Sequence, residues 1–138
     1  MKRFVVRLAL LCLALCFLQA QLATASLTVI DPRCEYRTDP LGVDIAQPRL
    51  FWKLEGRERG AWQTAYQILV ASSESQLKGE NADLWNSGKV LSEETIHIRY
   101  EGKPLASSQR VFWKVRVWDE KDKVSAWSKP TAWTMGVL

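Results

Sequence analysis

Residues Val111–Trp133 read VFWKVRVWDEKDKVSAWSKPTAW and hold four of the chain's seven tryptophans. Val111, Trp113, Val115 and Val117 fall on one parity, and Lys114, Arg116 and Trp118 fall on the other. Strand residues two apart share a face. The stretch therefore predicts a strand with an apolar inner face and a cationic outer one. Trp113 belongs to the core, while Trp118 faces outward, toward a glycan or a neighbouring domain. Five residues, Asp119 to Lys123, separate this strand from VSAW, which predicts a hairpin. The turn lacks a glycine, and Asp122 is the residue suited to a left-handed conformation. Trp127, in SAWS, is placed to lie over Lys114 or Arg116 in a cation–π contact.

The same alternation recurs upstream. RLFWKL (residues 49–54) puts Leu50, Trp52 and Leu54 on one face, and AWQTAYQILVASS (61–73) does so with Tyr66, Ile68 and Val70. TIHIRY (95–100) predicts Ile96 and Ile98 on one face and His97 on the other. The first run, Leu27 to Tyr36, is interrupted at Asp31-Pro32, which suggests an edge strand or a kink. SSESQLKGENAD reads as a loop with a helical turn near Leu77, and LWNSGKV as a short strand ended or bulged at Gly88. About seven short strands without a long helical period predict an all-β, antiparallel sandwich of the immunoglobulin or fibronectin type III sort. The expected core comprises Trp52, Tyr66, Ile68, Val70, Trp113, Val115 and Val117. Trp62, Trp85 and Trp133 sit near strand ends, where parity does not fix a face.

The chain begins with Lys2, Arg3 and Arg7, an apolar run from Leu8 to Leu18, and the small-x-small triplet Ala23-Thr24-Ala25. This reads as a secretory signal peptide over residues 1–25, cleaved after Ala25, so the product is expected to be exported to the periplasm, cell surface or medium. The apolar run is too short for a membrane span, which needs about 20 residues. The remaining 113 residues, 26–138, fit a single domain. They fall short of a catalytic barrel of typically ~250 residues. The net charge of +4 shrinks to 16 basic against 15 acidic residues without the leader, leaving no basic patch for nucleic acid. Two of the three cysteines leave with the leader. Cys34 alone offers no internal disulfide and reads as a small buried hydrophobe.

Little in this composition points to chemistry. His97 is the only histidine, so neither a Cys-His pair nor a zinc site has enough partners. Asp119, Glu120 and Asp122 share a hairpin tip where water keeps carboxylates ionised. A general acid needs burial or a close like charge. No cofactor motif is present.

Several ordered blocks resemble one family. CEYRTDPLGVD, PRLFWKL, RGAWQTAYQILVASS, DLWNSGKV and VFWKVRVWDEKDKVSAWSKPTAWTMGVL are similar, in that order, to the N-terminal module of bacterial α-L-rhamnosidases of glycoside hydrolase family seventy-eight. The resemblance covers nearly all of Cys34 to Leu138. It implies a non-catalytic β-sandwich that precedes a jelly-roll domain and an (α/α)₆ barrel. The barrel supplies the catalytic carboxylates that remove terminal α-L-rhamnose. Residues 26–138 are not expected to include the barrel, so no family catalytic residue has a position among them to be carried onto. The expected partners are those other domains, if encoded nearby. The alternative is a free-standing exported carbohydrate-binding or adhesion module, with Trp118 as its stacking platform.

Overall fold

The computed structural model describes residues 25–138, so the leader read in the sequence lies outside them apart from Ala25. Eight strands form: β1 (Leu27–Cys34), β2 (Arg49–Gly56), β3 (Ala65–Ala71), β4 (Trp85–Asn86), β5 (Val90–Leu91), β6 (Ile98–Arg99), β7 (Arg110–Trp118) and β8 (Thr131–Thr134). One sheet has the order β1-β2-β6. The other runs β4-β3-β7-β8, with β5 also paired to β3. Every pairing between these strands is antiparallel. This is an immunoglobulin-like sandwich, with three of its strands reduced to two residues.

The register between β3 and β7 sets the core. Tyr66 faces Val117, Ile68 faces Val115 and Val70 faces Trp113. These six side chains pack with Leu50, Trp52, Val111 and Trp133 between the sheets. Trp113 and Trp133 are wholly buried and Trp52 is 2% exposed; parity had given a face to Trp52 and Trp113 only. Edge-to-face aromatic contacts link the layers: Trp52 to Tyr66 at 5.4 Å, and Tyr100 to Trp133 at 5.7 Å between ring centroids. A smaller cluster forms where the short helix α1 (Glu74–Lys78) lays Leu77 on Leu69 and Ala71. Ser73 caps that helix by accepting from the Gln76 amide.

Interruptions in the pattern have local causes. The register of β1 shifts between Ile30 and Arg33, where Asp31 takes φ +49°. β1 is an edge strand, so the missing Pro32 donor costs no ladder bond. The expectation that Ile96 and Ile98 share a buried face is corrected. His97 takes φ +58° and breaks the alternation, leaving Ile98 buried and Ile96 54% exposed. Asp122 is left-handed at φ +58°, as its glycine-free turn required.

VSAW does not form the second strand of a hairpin. After one bridge between Trp118 and Val124, the chain runs beside β7 as an irregular strap. Ser125 donates its amide to the Val117 carbonyl at 2.8 Å, and its hydroxyl accepts from the Val117 amide at 3.0 Å. Ser128 repeats this exchange with Val115, at 2.8 and 3.0 Å. Each serine supplies a side-chain oxygen where a partner strand would supply a carbonyl. β7 is thereby satisfied on its outer edge, by β8 along residues 110–113 and by the strap along residues 115–117.

Two consequences are measurable. Trp113→Ala should lose ~3–5 kcal/mol of stability in urea unfolding. Its indole Nε1 is buried without a hydrogen-bond partner, so Trp113→Phe should cost distinctly less. Burial, with a smaller contribution from the Glu35 charge, pushes the Cys34 thiol up to about 12. It should resist thiol reagents at pH 8 in native protein and react at once in urea.

Candidate functional site

The outer face of the larger sheet carries the side chains that parity turned away from the core. Trp118 is half-buried, not open. The Lys89 ammonium lies 4.9 Å from its ring centroid and the Arg116 guanidinium 5.3 Å. Arg116 also lies 4.4 Å from the Trp127 ring, and Lys114 lies 4.8 Å from that same ring. The five side chains form one ladder in the order Lys89, Trp118, Arg116, Trp127, Lys114. Gln67 holds the Arg116 Nε at 3.0 Å, and Glu80 accepts from the Trp127 indole at 2.9 Å. Lys89 is anchored in turn by Asp122.

Local structure explains the assembly. β7 presents Lys114, Arg116 and Trp118 at two-residue spacing. The strap then lowers Trp127 between the two cations, because Ser125 and Ser128 fix it on either side. The contact between Trp127 and the β7 cations was legible in the sequence. The roles of Lys89 and Glu80 were not, since they arrive from loops near β5 and α1 with no periodic signal. Desolvation pushes the Lys114 ammonium below its usual range. The nearby Glu80 opposes that shift, while Arg116 adds to it.

A stacking platform for a sugar needs a bare aromatic face. Here both indoles are already engaged by cations, each worth ~0.5–1 kcal/mol at such sites. The ladder reads as a clamp holding the strap to the sheet.

A second surface lies on the outer side of the smaller sheet. Tyr36 and His97, both exposed and both left-handed, meet through a 2.6 Å hydrogen bond between the phenol oxygen and Nε2. The Tyr36 ring packs 4.2 Å from Phe51. With Asp31, Arg33 and Lys53 they line a groove of about 400 Å³. An open cleft of about 370 Å³ between the sheets contains Tyr66, Trp85 and the exposed Glu94 and Glu101. Burial, then those two carboxylates, raises the Tyr66 phenol above its usual range.

The acids with perturbed titration share one direction. Arg33, then Lys53, holds Asp31 down at about 2. Arg49 lowers Glu35, and the Ala132 amide with the Thr131 hydroxyl lowers Asp39. Burial opposes the charge of Asp83, yet hydrogen bonds from Ser72 outweigh it. Asp119 is lowered likewise, its amide donors overcoming burial. A glycosidic general acid needs the reverse. Among the described residues no group of three or more His, Cys, Asp or Glu could hold a metal ion, and no helix is long and apolar enough to cross a membrane.

An immunoglobulin-like sandwich whose surface groups clamp its own chain is the class these observations define. The chain belongs to the Rha78A-like, N-terminal immunoglobulin domain family, whose model matches residues 29–138. An α-L-rhamnosidase of Streptomyces avermitilis is 43% identical over 114 residues, which is 83% of this chain and 11% of that one. One from Formosa agariphila is 46% identical over 100 residues, 72% of this chain and 11% of that one. The solved structure of the S. avermitilis α-L-rhamnosidase with L-rhamnose superposes with TM-score 0.76 at 44% identity, over 80% of this chain and 10% of that one. The α-L-rhamnosidase of Dictyoglumus thermophilum gives TM-score 0.77 at 44% identity, over 80% of this chain and 12% of that one. The enzyme of Aspergillus terreus, at TM-score 0.66 and 22% identity, shares the fold. The chain spans about a tenth of these relatives' length and matches their N-terminal accessory module.

The clamp and the paired acids make two predictions. Arg116→Leu removes the cation shared by two indoles and should cost about 1–2 kcal/mol in thermal or urea unfolding. Folded values below unfolded ones mean that the acids' stabilisation is present above pH ~4 and lost as pH falls through the folded values. Urea midpoints should therefore decline steadily between pH 5 and pH 2, the window that Asp31 closes at about 2.

Proposed function

We propose that the chain is the exported, non-catalytic front module of an α-L-rhamnosidase-like glycoside hydrolase. It packs against and orients the jelly-roll and α/α barrel domains of a protein that removes terminal α-L-rhamnose. The observation that carries this reading is the match of residues 29–138 to the N-terminal module of proteins about ten times its length.

A surface suited to such packing lies where β8 runs out. Met135 bridges Val43, and the Gly136 backbone presses on Gly42, where even a Cβ would come within 3.2 Å. On either side of this contact stand Leu41, 74% exposed, and Val137, 85% exposed, with Leu138 beside them. Apolar side chains on two adjacent backbone segments are what a following domain would cover. The cation-covered indoles of Trp118 and Trp127 speak against the free-standing glycan-binding alternative.

The test is to translate the DNA downstream of the Leu138 codon in all frames, and to assay the purified chain with an aryl α-L-rhamnoside. Jelly-roll and α/α barrel coding sequence, with no hydrolysis by the chain alone, is the expected result. Hydrolysis that disappears on substituting a carboxylate would overturn the proposal.

A further inference from the structure

Asp119 is a buried charge without a counter-ion among the described residues. It is 1% exposed and makes no ion pair within bonding distance among the described residues. Four donors surround its carboxylate. The amides of Lys121 and Lys123 reach Oδ1, each at 2.9 Å. The Ser26 amide reaches Oδ2 at 2.9 Å and the Ser26 hydroxyl reaches it at 3.1 Å. A buried carboxylate held by neutral donors alone lacks the partner that usually accompanies such a group. One of these donors, the Ser26 nitrogen, belongs to the residue directly after the Ala23-Thr24-Ala25 triplet, and cleavage there would turn it into a cation.

We propose that Ala25–Ser26 is a processing site whose product is read by Asp119: hydrolysis creates an α-ammonium at Ser26 that pairs with this carboxylate and locks the mature N-terminus to the Asp119–Val124 turn. The inference rests on the export reading above. Water, added by a signal peptidase-class endopeptidase, cleaves the Ala25–Ser26 amide. Its oxygen goes to the new Ala25 carboxylate, and the Ser26 nitrogen leaves as an amine that protonates from solvent.

The geometry also sets the order of events. Ala25 and Ser26 are both buried at 6% exposure, with Ala25 packed in the groove beside Leu27, Val124 and Trp127. A protease cannot reach that bond in the folded sandwich, so the cut belongs to the unfolded, translocating chain. Afterwards the ammonium still donates to Asp119, and the Ser26 carbonyl still accepts from the Arg57 amide. The other charged groups on the surrounding elements are Arg57 and Glu58 after β2 and Glu120, Lys121, Asp122 and Lys123 in the turn. Lys121 is tied to Glu58, and Asp122 to Lys89. The core cluster spans Leu27 to Met135, so the chain from Ser26 keeps every residue of that cluster and loses only the buried Ala25.

The test has two stages. The full chain is expressed in an exporting bacterium, and the mass of the recovered protein is measured. A product beginning at Ser26 is expected; an intact chain overturns the proposal together with the export reading, and a product with another start overturns the proposal alone. The α-amine of the product is then titrated by NMR or by pH-dependent acylation. An ammonium paired to Asp119 should titrate at least one unit above the ordinary ~8, a tenfold or greater gain in the folding equilibrium. That gain is full below pH ~8 and lost as pH rises through the raised value. A chain begun one residue earlier, at Ala25, moves the ammonium away and should titrate near 8, as should Asp119→Asn if it folds. A Ser26 amine that itself titrates near 8 overturns the lock while leaving export intact.

Discussion

The structure depends on how strand β7 is satisfied along both edges. β3 pairs with it from Phe112 to Trp118, which places Trp113, Val115 and Val117 against Val70, Ile68 and Tyr66. Its other edge is divided between β8 and a strap that no ladder describes. Two serines replace backbone carbonyls with hydroxyls, and in doing so they hold the outer edge of the larger sheet. With no disulfide among the described residues, the sandwich relies on this arrangement to keep Trp113 and Trp133 sealed between its layers. The cation–aromatic ladder is the outside of the same device. Trp127 reaches Lys114 and Arg116 only because Ser125 and Ser128 fix the strap, and the ladder in turn stiffens that strap.

The functional reading follows from the use already made of the conspicuous groups. The tryptophans that suggested a sugar platform are divided between the core and the clamp. The carboxylates with perturbed titration are held in their charged form by arginines, lysines, hydroxyls and amides, so they stabilise rather than transfer protons. Among the exposed apolar side chains, which also include Trp62, Leu91 and Ile96, Leu41 and Val137 stand together beside the run-out of β8. A module that spends its polar groups on itself and leaves an apolar end is suited to support other domains.

The sequence showed the core wherever period-two alternation ran uninterrupted, as in β2, β3 and β7. It showed Asp122 as a left-handed turn residue, and Trp127 as a partner of the β7 cations. It misplaced Ile96, because the positive φ of His97 is a single-residue break that leaves no mark in the hydrophobic pattern. VSAW read as a strand because its serines look like ordinary polar positions, whereas their hydroxyls do the work of backbone. Trp133 could not be assigned at all, since β8 is only four residues long. Lys89 and Glu80 were invisible because contacts across 29 and 47 residues have no signature in spacing.

The most direct test of this account is native-state hydrogen exchange at the Val115 and Val117 amides. If the serine hydroxyls close the edge of β7, both amides should exchange nearly as slowly as that of Leu69, which pairs with Lys114 between β3 and β7. Ser125→Ala with Ser128→Ala should open them selectively, at about 1–3 kcal/mol per buried donor left unpaired. Exchange of Val115 and Val117 at loop rates in the unsubstituted protein would contradict the claim that the strap completes the sheet.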